Sequence, residues 1–384
     1  MHDLKHLRGK AACLGAATAG CGEAPGRNST ELMAEAVYRA LADADIPLGQ
    51  VDGLFAATAV HSMAAMSLAE HLGIQPKYSN GSNIGGSSFL AHALDAAMAL
   101  EAGLIDVAVI AYGSNQRTAG GFKSVSEPMP FEAQFEPRNP ITAYALATSR
   151  YMYEFGATRE HLAEVAVAAR KWAQLNPEAF VRDPLTVEEV LKARPISDPL
   201  GKLDCCLVTD GAAAVVMTRP DRAKDGSHKP VYLLGAAMAH HHRMISEMPD
   251  LTLTAARDSG PRAFAMAGYG PNDMDTVQLY DAFTINTLLF LEDLGFCKKG
   301  EGRDFVRGGR IAPGGSLPVN TNGGGLSCVH PGMYGLFVMI EAIRQARGTC
   351  GERQVEGANL CLAHGNGGVL SSQVTTIWGT GETL

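Results

Sequence analysis

Several features are scarce in this chain of 384 residues, and each scarcity removes a class of function. The eight cysteines are scattered, Cys205 and Cys206 are adjacent, and no Cys-x-x-Cys spacing occurs. Neither a zinc ribbon nor a disulfide framework is therefore indicated, and a reducing cytoplasm is the expected compartment. No Lys/Arg run longer than a pair is interleaved with aromatics, the formal charge is -8 and the pI is about 5.8, which argues against a nucleic-acid surface. No apolar stretch approaches the roughly 18 residues of a membrane span. The opening "MHDLKHLRGK" and "AACLGAATAGC" imitate a secretory leader, but the apolar part is Ala/Gly rather than Leu-rich and reads as a first strand.

What is present is 46% hydrophobic residues and 43 glycines, the composition of a globular α/β enzyme with many tight turns. Strand-like runs include "GLFAATAV" (53-60), "VAVIAYG" (107-113), "AAAVVMT" (212-218), "VYLLGAAM" (231-238), "TVQLYDAF" (276-283), "NLCLAHG" (359-365) and "SSQVTTIW" (371-378). Helical periodicity fills the gaps, as in "STELMAEAVYRALADADI" (29-46), with Ser29 and Glu31 at its start. Alternation of the two predicts a layered α/β fold.

The chain also repeats itself. "LADADIPLGQVDGL" (41-54) lies on "FAMAGYGPNDMDTV" (264-277) without a gap, placing Leu41 on Phe264, Ala42 on Ala265 and Asp52 on Asp275. The match predicts two similar halves, 1-225 and 226-384, joined through the polar "RPDRAKDGSHKP" (219-230). A Pro- and charge-rich insertion at about 114-200 reads as a loop subdomain over a site, with "KSVSEPMPFEAQFEPRNP" expected to be ordered by docking.

Four stretches, "PLGKLDCCLVTDGAAAVVMT" (199-218), "LYDAFTINTLLFLEDLGFCKKGEG" (279-302), "GGSLPVNTNGGGLSCVHPGMYG" (314-335) and "CLAHGNGGVLSSQ" (361-373), together resemble the thiolase superfamily, in particular its sterol-carrier-protein and lipid-transfer branch. The most specific is the Asn-Thr-x-Gly-Gly-x-Leu run ending in His-Pro. The resemblance implies a five-layered αβαβα thiolase fold of two duplicated halves, a homodimer, and coenzyme A thioesters as substrates with no covalently bound cofactor. It also implies a small zinc-ribbon/OB-fold partner protein.

Carried over residue by residue, the resemblance puts Gly85 of "GGSSF" where thiolases hold their nucleophilic cysteine, which a helix N-terminus favours as thiolate. It puts His364 of "HGNGG" at the acid/base cysteine, Tyr280 of "YDAF" at the Asn or His of that strand end, and His330 at the His of the His-Pro motif. Tyr280, His330 and His364 are therefore the expected catalytic residues. Gly85, Asn366, Gly367, Cys328 and Tyr334 are the expected oxyanion and substrate contacts, through backbone N-H groups near Gly85 and in a turn at 364-367.

Glycine cannot form an acyl-enzyme. Ser82, Ser87, Ser88 and Cys328 stand as replacement nucleophiles, although serines before a helix more often cap it. Without a nucleophile the remaining groups suit a retro-aldol cleavage of a β-hydroxyacyl-CoA, in which the thioester leaves as an enolate. This is the chemistry of the steroid side-chain aldolases that the resemblance points to, where tyrosines move the protons. Two alternatives stay open: an acyltransferase of the acetyl-CoA acetyltransferase type working with a partner subunit, and a non-catalytic acyl-CoA-binding subunit. "HHH" (240-242) would place only His240 and His242 on one strand face, with no Cys or paired acid nearby to complete a metal site.

Overall fold

The small-residue runs become strands covered on both faces. In the computed structural model, which describes residues 4-119, 130-223 and 228-384, the first half contributes β1 (Ala12–Gly22), β2 (Gly53–Ala56), β3 (Tyr78–Asn80) and β4 (Val107–Ser114). A small hairpin, β5 (Pro195–Ser197) and β6 (Leu200–Gly201), precedes β7 (Asp210–Thr218). The second half contributes β8 (Val231–His240), β9 (Thr276–Leu279), β10 (Leu360–Gly367) and β11 (Ser372–Gly379).

Nine strands join in the order β3-β2-β4-β7-β1-β8-β11-β10-β9. The halves meet through a short register, Ala12 with Tyr232 and Cys13 with Val231. Outward from that seam each half runs a long first strand, then its antiparallel last strand, and ends in parallel strands. Strands such as β7, buried along their whole length, need no polar alternation because helices cover both faces.

The helices of the first half are α1 (Ser29–Asp43), α2 (Ala64–Leu72) and α3 (Ser88–Glu101), followed in the insertion by α4 (Pro130–Ala133), α5 (Ile141–Phe155), α6 (Arg159–Gln174) and α7 (Val187–Lys192). After α8 (Pro220–Ala223) come α9 (Ala256–Ala267), α10 (Thr284–Asp293), α11 (Gly302–Phe305), α12 (Gly324–Ser327) and α13 (Gly335–Arg347). α1 packs on β1, β4 and β7, and α9 on β8 and β11. α3 and α13 touch each other and strands of both halves, making the central helix layer of an αβαβα stack.

The cap of α1 is Asn28, just before the Ser29 at which the sequence pattern begins. Its side chain accepts the Glu31 N-H and its own N-H donates to the Glu31 carboxylate, both at 2.9 Å. α3 is apolar nearly all round, with Phe89, Leu90, Ala93 and Ala97 fully buried, which is the pattern of an internal helix. One device occurs in both halves. A Cβ at Gly15 would lie 2.0 Å from the Ala40 carbonyl oxygen of α1, and one at Gly235 2.2 Å from that of Ala263 in α9. Glycine on the first strand of each half is what lets the covering helix approach so closely. Ala40 and Ala263 are also equivalent under the offset of the internal repeat.

The insertion contains helices that join the main core. α5 and α6 send Tyr144, Tyr151, Leu162 and Val165 into the main core. Of "KSVSEPMPFEAQFEPRNP", residues 123-129 lie outside the described residues.

Candidate active site

The residues leading into α3, α10 and α13 converge on one cavity of about 420 Å3, with α5 on its wall. Asn83, Gly85 and Gly86 come from the approach to α3, Tyr280, Ala282 and Phe283 from that to α10, and His330, Gly332 and Met333 from that to α13. Three helix N-termini thus face one space, and their aligned peptide dipoles favour negative charge there. A second chamber of about 640 Å3, with His240 and His242 on its wall, shares Asn83, Gly85 and Gly368 with the first.

Tyr280 and His330 meet edge to face, ring centroids 5.5 Å apart. The Tyr280 hydroxyl accepts the Tyr334 N-H at 3.1 Å, so its own proton remains for the cavity. Burial, with Cys206 and Tyr144 nearby, raises the Tyr280 phenol well above its usual range, which keeps it protonated. Burial lowers His330 to about 4, so its imidazole is neutral at pH 7, and its Nε2 has no hydrogen-bond partner among the described residues. The His330 backbone is held at both ends: its N-H donates to Thr209 Oγ1 at 3.0 Å and its carbonyl accepts from Gln116 Nε2 at 3.0 Å.

His364 is elsewhere. It is fully buried on β10, its Nδ1 is 2.9 Å from Thr375 Oγ1, its Nε2 is 2.9 Å from Gln373 Oε1, and its ring abuts Phe290. Strand alternation puts it on the same face as Asn366, but two residues further from the strand end, so Asn366 reaches the cavity and His364 does not. The expected turn at 364-367 is also absent: these residues pair with Thr375 to Ser372 in the β10–β11 ladder, so their backbone groups serve the sheet. Gly367 lines the second chamber.

Cys328 and Tyr334, close to His330 in sequence, do not line the cavity. Cys328 lies 3.5 Å from Asn176 Nδ2 in a separate small void, and burial raises its thiol well above the usual range. The Tyr334 hydroxyl donates to Asn322 Oδ1 at 3.0 Å, so only its backbone N-H serves the site.

Gly85 borders the cavity with φ +76°, but its N-H donates to Asn83 Oδ1 at 3.1 Å rather than toward a substrate oxygen. The position that aims at the chemistry is its neighbour. A Cβ on Gly86 would fall 2.1 Å from Tyr280 Cε2, whereas one on Gly85 would strike Gly367 Cα and Gly368 N at 2.7 Å. Of the two glycines it is Gly86, not Gly85, whose Cβ direction runs toward Tyr280, and the Tyr280 ring occupies that space.

The serines do not replace a nucleophile. Ser88 Oγ accepts the Ile84 N-H and donates to the Gly85 carbonyl, and Ser87 Oγ donates to the Ile84 carbonyl, stitching the turn into α3. Ser82 contacts His92 at 3.1 Å, and none of these three serines lines the cavity. Among the described residues no three His, Cys, Asp or Glu side chains gather as a metal site; His241 instead contacts Asp258 and His242 the Val369 carbonyl.

Among the cavity residues that sequence reasoning missed, two carry reactive side chains. Tyr144 of α5 packs against Phe283, ring centroids 4.4 Å apart and tilted by 31°, and receives the Asn366 amide N-H at 2.7 Å. Cys206, noticed only for its adjacency to Cys205, is also on the wall, and burial holds its thiol far above the range where thiolate forms.

Comparison with known proteins places the chain among characterised relatives. Residues 237-380 match the family described as "Thiolase C-terminal domain-like". The chain is 35% identical over 366 residues to a "17-hydroxy-3-oxo-4-pregnene-20-carboxyl-CoA lyase" of Mycobacterium tuberculosis, covering 89% of this chain and 93% of the relative. It is 33% identical to a "Steroid side-chain-cleaving aldolase" of Thermomonospora curvata, covering 94% and 96%. A solved structure described as "Ltp2-ChsH2(DUF35) aldolase" superposes with a TM-score of 0.88 at 32% identity, over 97% of this chain and 98% of that one.

Proposed function

The chain belongs to the thiolase superfamily, and from that membership and the shape of its cavity we propose that it is a carbon-carbon lyase splitting a β-hydroxyacyl-CoA by a retro-aldol step. The observation that carries the reading is Gly86. Where a nucleophile would project, there is no side chain, and Tyr280 fills the space. An acyl-enzyme has nothing to form on at that point.

The roles follow from protonation. Tyr280 keeps its proton and is an acid rather than a base. His330, neutral with Nε2 unpartnered among the described residues, is the base. Nε2 takes the β-hydroxyl proton, the Cα-Cβ bond breaks, and its electron pair becomes the thioester enolate while Cβ leaves as an aldehyde or ketone. Tyr280 then delivers its proton to Cα, and the proton held by His330 restores Tyr280. The three helix N-termini stabilise the enolate.

The same reading includes assembly. The chain works as a homodimer, the assembly its family resemblance implies, and with a second protein of the zinc-ribbon/OB-fold kind. Two observations support the second protein: the superposed aldolase is described as a pairing, Ltp2 with ChsH2(DUF35), and Phe131, Phe135 and Tyr153 stand exposed on and beside α4 and α5. The cytoplasm is its compartment; among the described residues no helix is long and apolar enough to cross a membrane.

Cys206, the thiol on the wall, makes an acyltransferase the rival, and one experiment separates the two. Intact-mass measurement after mixing with an acyl-CoA should show no acyl adduct, and Cys206→Ala should keep most of its turnover. An adduct that disappears in Cys206→Ala would give the reaction to the acyltransferase.

A further inference from the structure

His364, excluded from the cavity, is the middle of a buried hydrogen-bond chain that ends in it. Ser259 Oγ and Thr375 Oγ1 are 2.9 Å apart, Thr375 Oγ1 and His364 Nδ1 2.9 Å, and His364 Nε2 and Gln373 Oε1 2.9 Å. Gln373 Nε2 donates to Asn366 Oδ1 at 2.8 Å, and Asn366 Nδ2 to the Tyr144 hydroxyl at 2.7 Å. Ser259, Thr375, His364 and Gln373 are fully buried, and Asn366 and Tyr144 are each 2% exposed.

The direction of the chain is fixed by one carbonyl. Gln373 Nε2 also lies 3.1 Å from the Leu370 oxygen, which can only accept. The nitrogen of Gln373 must therefore face Leu370 and Asn366, and its oxygen must face His364. Asn366 then presents oxygen to Gln373 and nitrogen to Tyr144, and His364 carries its proton on Nε2. Every donor points toward the cavity, and bonds aligned in this way polarise one another. At the end the Tyr144 hydroxyl, its lone pair taken, gives its proton to the Gly368 oxygen at 3.3 Å, a long bond that a better acceptor displaces.

We infer that Tyr144 is a further catalytic residue, donating a hydrogen bond to the thioester oxygen of a bound acyl-CoA, and that Asn366, Gln373 and His364 are the positioning residues that hold it as a donor. Tyr280 is held in the same manner by the Tyr334 N-H, so the cavity presents two phenolic protons. Burial raises Tyr144 to about 12, which keeps its proton in place at neutral pH. No proton changes owner in this role: the oxygen gains charge as the enolate forms, and the bond shortens.

The inference rests on the proposed function only in taking an acyl-CoA as the occupant of the cavity. It is tested with butyryl-CoA, which lacks a β-hydroxyl and cannot be cleaved, labelled with 13C at the thioester carbonyl and observed by difference infrared spectroscopy. The bound carbonyl should absorb at lower frequency than the free one, and Tyr144→Phe, which removes one oxygen, should return it toward the free value. Turnover of a β-hydroxyacyl-CoA should fall on the order of 10²-fold in Tyr144→Phe, the usual effect of one lost oxyanion donor. Gln373→Met should cost less, and nothing further when Tyr144 is already Phe, since coupled residues lose additivity.

An unchanged carbonyl shift in Tyr144→Phe, or additive losses in the double variant, would overturn the inference. A Tyr144-dependent shift in a protein that cleaves no β-hydroxyacyl-CoA would instead leave this assignment standing and defeat the lyase. Failure to bind butyryl-CoA would defeat both.

Discussion

Adding one methyl group to Gly86 should disable the site without unfolding the protein. The Cβ of Gly86→Ala falls 2.1 Å from Tyr280 Cε2 and 2.6 Å from Cζ, well short of the roughly 3.5 Å at which carbon atoms rest. A third contact, 2.7 Å to the Asn366 carbonyl oxygen, belongs to the β10 backbone, so the ring is what must move. Displacing it by about 1 Å breaks the 3.1 Å bond from the Tyr334 N-H and turns the hydroxyl from the cavity. Misplacement on that scale costs about 10²-fold in turnover, and the overpacking about 1–3 kcal/mol of stability.

Gly85→Ala is the control, because both of its close contacts are backbone and its φ of +76° disfavours any side chain. Strain of roughly 1–2 kcal/mol joins the overpacking, so stability should fall further than in Gly86→Ala. Turnover numbers and thermal midpoints of the two variants check this. A Gly86→Ala enzyme with unaltered turnover would refute the placement of Tyr280 in the chemistry.

Tyr280→Phe and His330→Ala should each lose on the order of 10²-fold or more in turnover, measured by release of the carbonyl product, with little change in acyl-CoA affinity. Asp281 should show itself in the pH dependence of stability. It is fully buried, its Oδ1 accepts the Gly325 N-H at 2.6 Å, its Oδ2 has no partner among the described residues, and burial raises it to about 7. A carboxyl with a folded value above its unfolded one favours the fold while protonated and loses that contribution as pH rises from about 4 through 7. Asp281→Asn should therefore raise the thermal midpoint at pH 8 and not at pH 4. The buried, neutral His92, His330 and His364, each lowered to about 4, act oppositely, and their contribution is lost as pH falls from 6.5 toward 4.

The long strands were legible in sequence because burial on both faces writes them as unbroken small apolar runs, as in "AAAVVMT". β3 was not, being three residues, with Tyr78 and Ser79 exposed. The glycines of 364-367 read as a turn but mark close approach: a Cβ at Gly367 would meet the Ile84 oxygen at 1.8 Å, so strand and α3 approach touch backbone to backbone. Resemblance picked out Tyr280 and His330, which share one cavity. The turn before α3, which the sequence does not show, makes the Cβ vector facing Tyr280 that of Gly86 rather than Gly85. Resemblance could not find Tyr144, whose helix lies far from the other site residues in sequence and reaches Phe283 and Asn366 through tertiary packing. Cys328 and Tyr334 show the converse, because nearness to His330 in sequence says nothing about direction where the chain turns between α12 and α13.

The central claim is carbon-carbon cleavage without acyl transfer, and the most direct measurement is product analysis in the absence of free coenzyme A. Thiolytic cleavage needs a thiol to accept the acyl group, and a retro-aldol step needs none. Incubated with a β-hydroxyacyl-CoA and the proposed OB-fold partner, the enzyme should yield an aldehyde or ketone and a shortened acyl-CoA in equal amounts with no thiol added. Cleavage only of a β-ketoacyl-CoA, and only when free coenzyme A is supplied, would contradict the account.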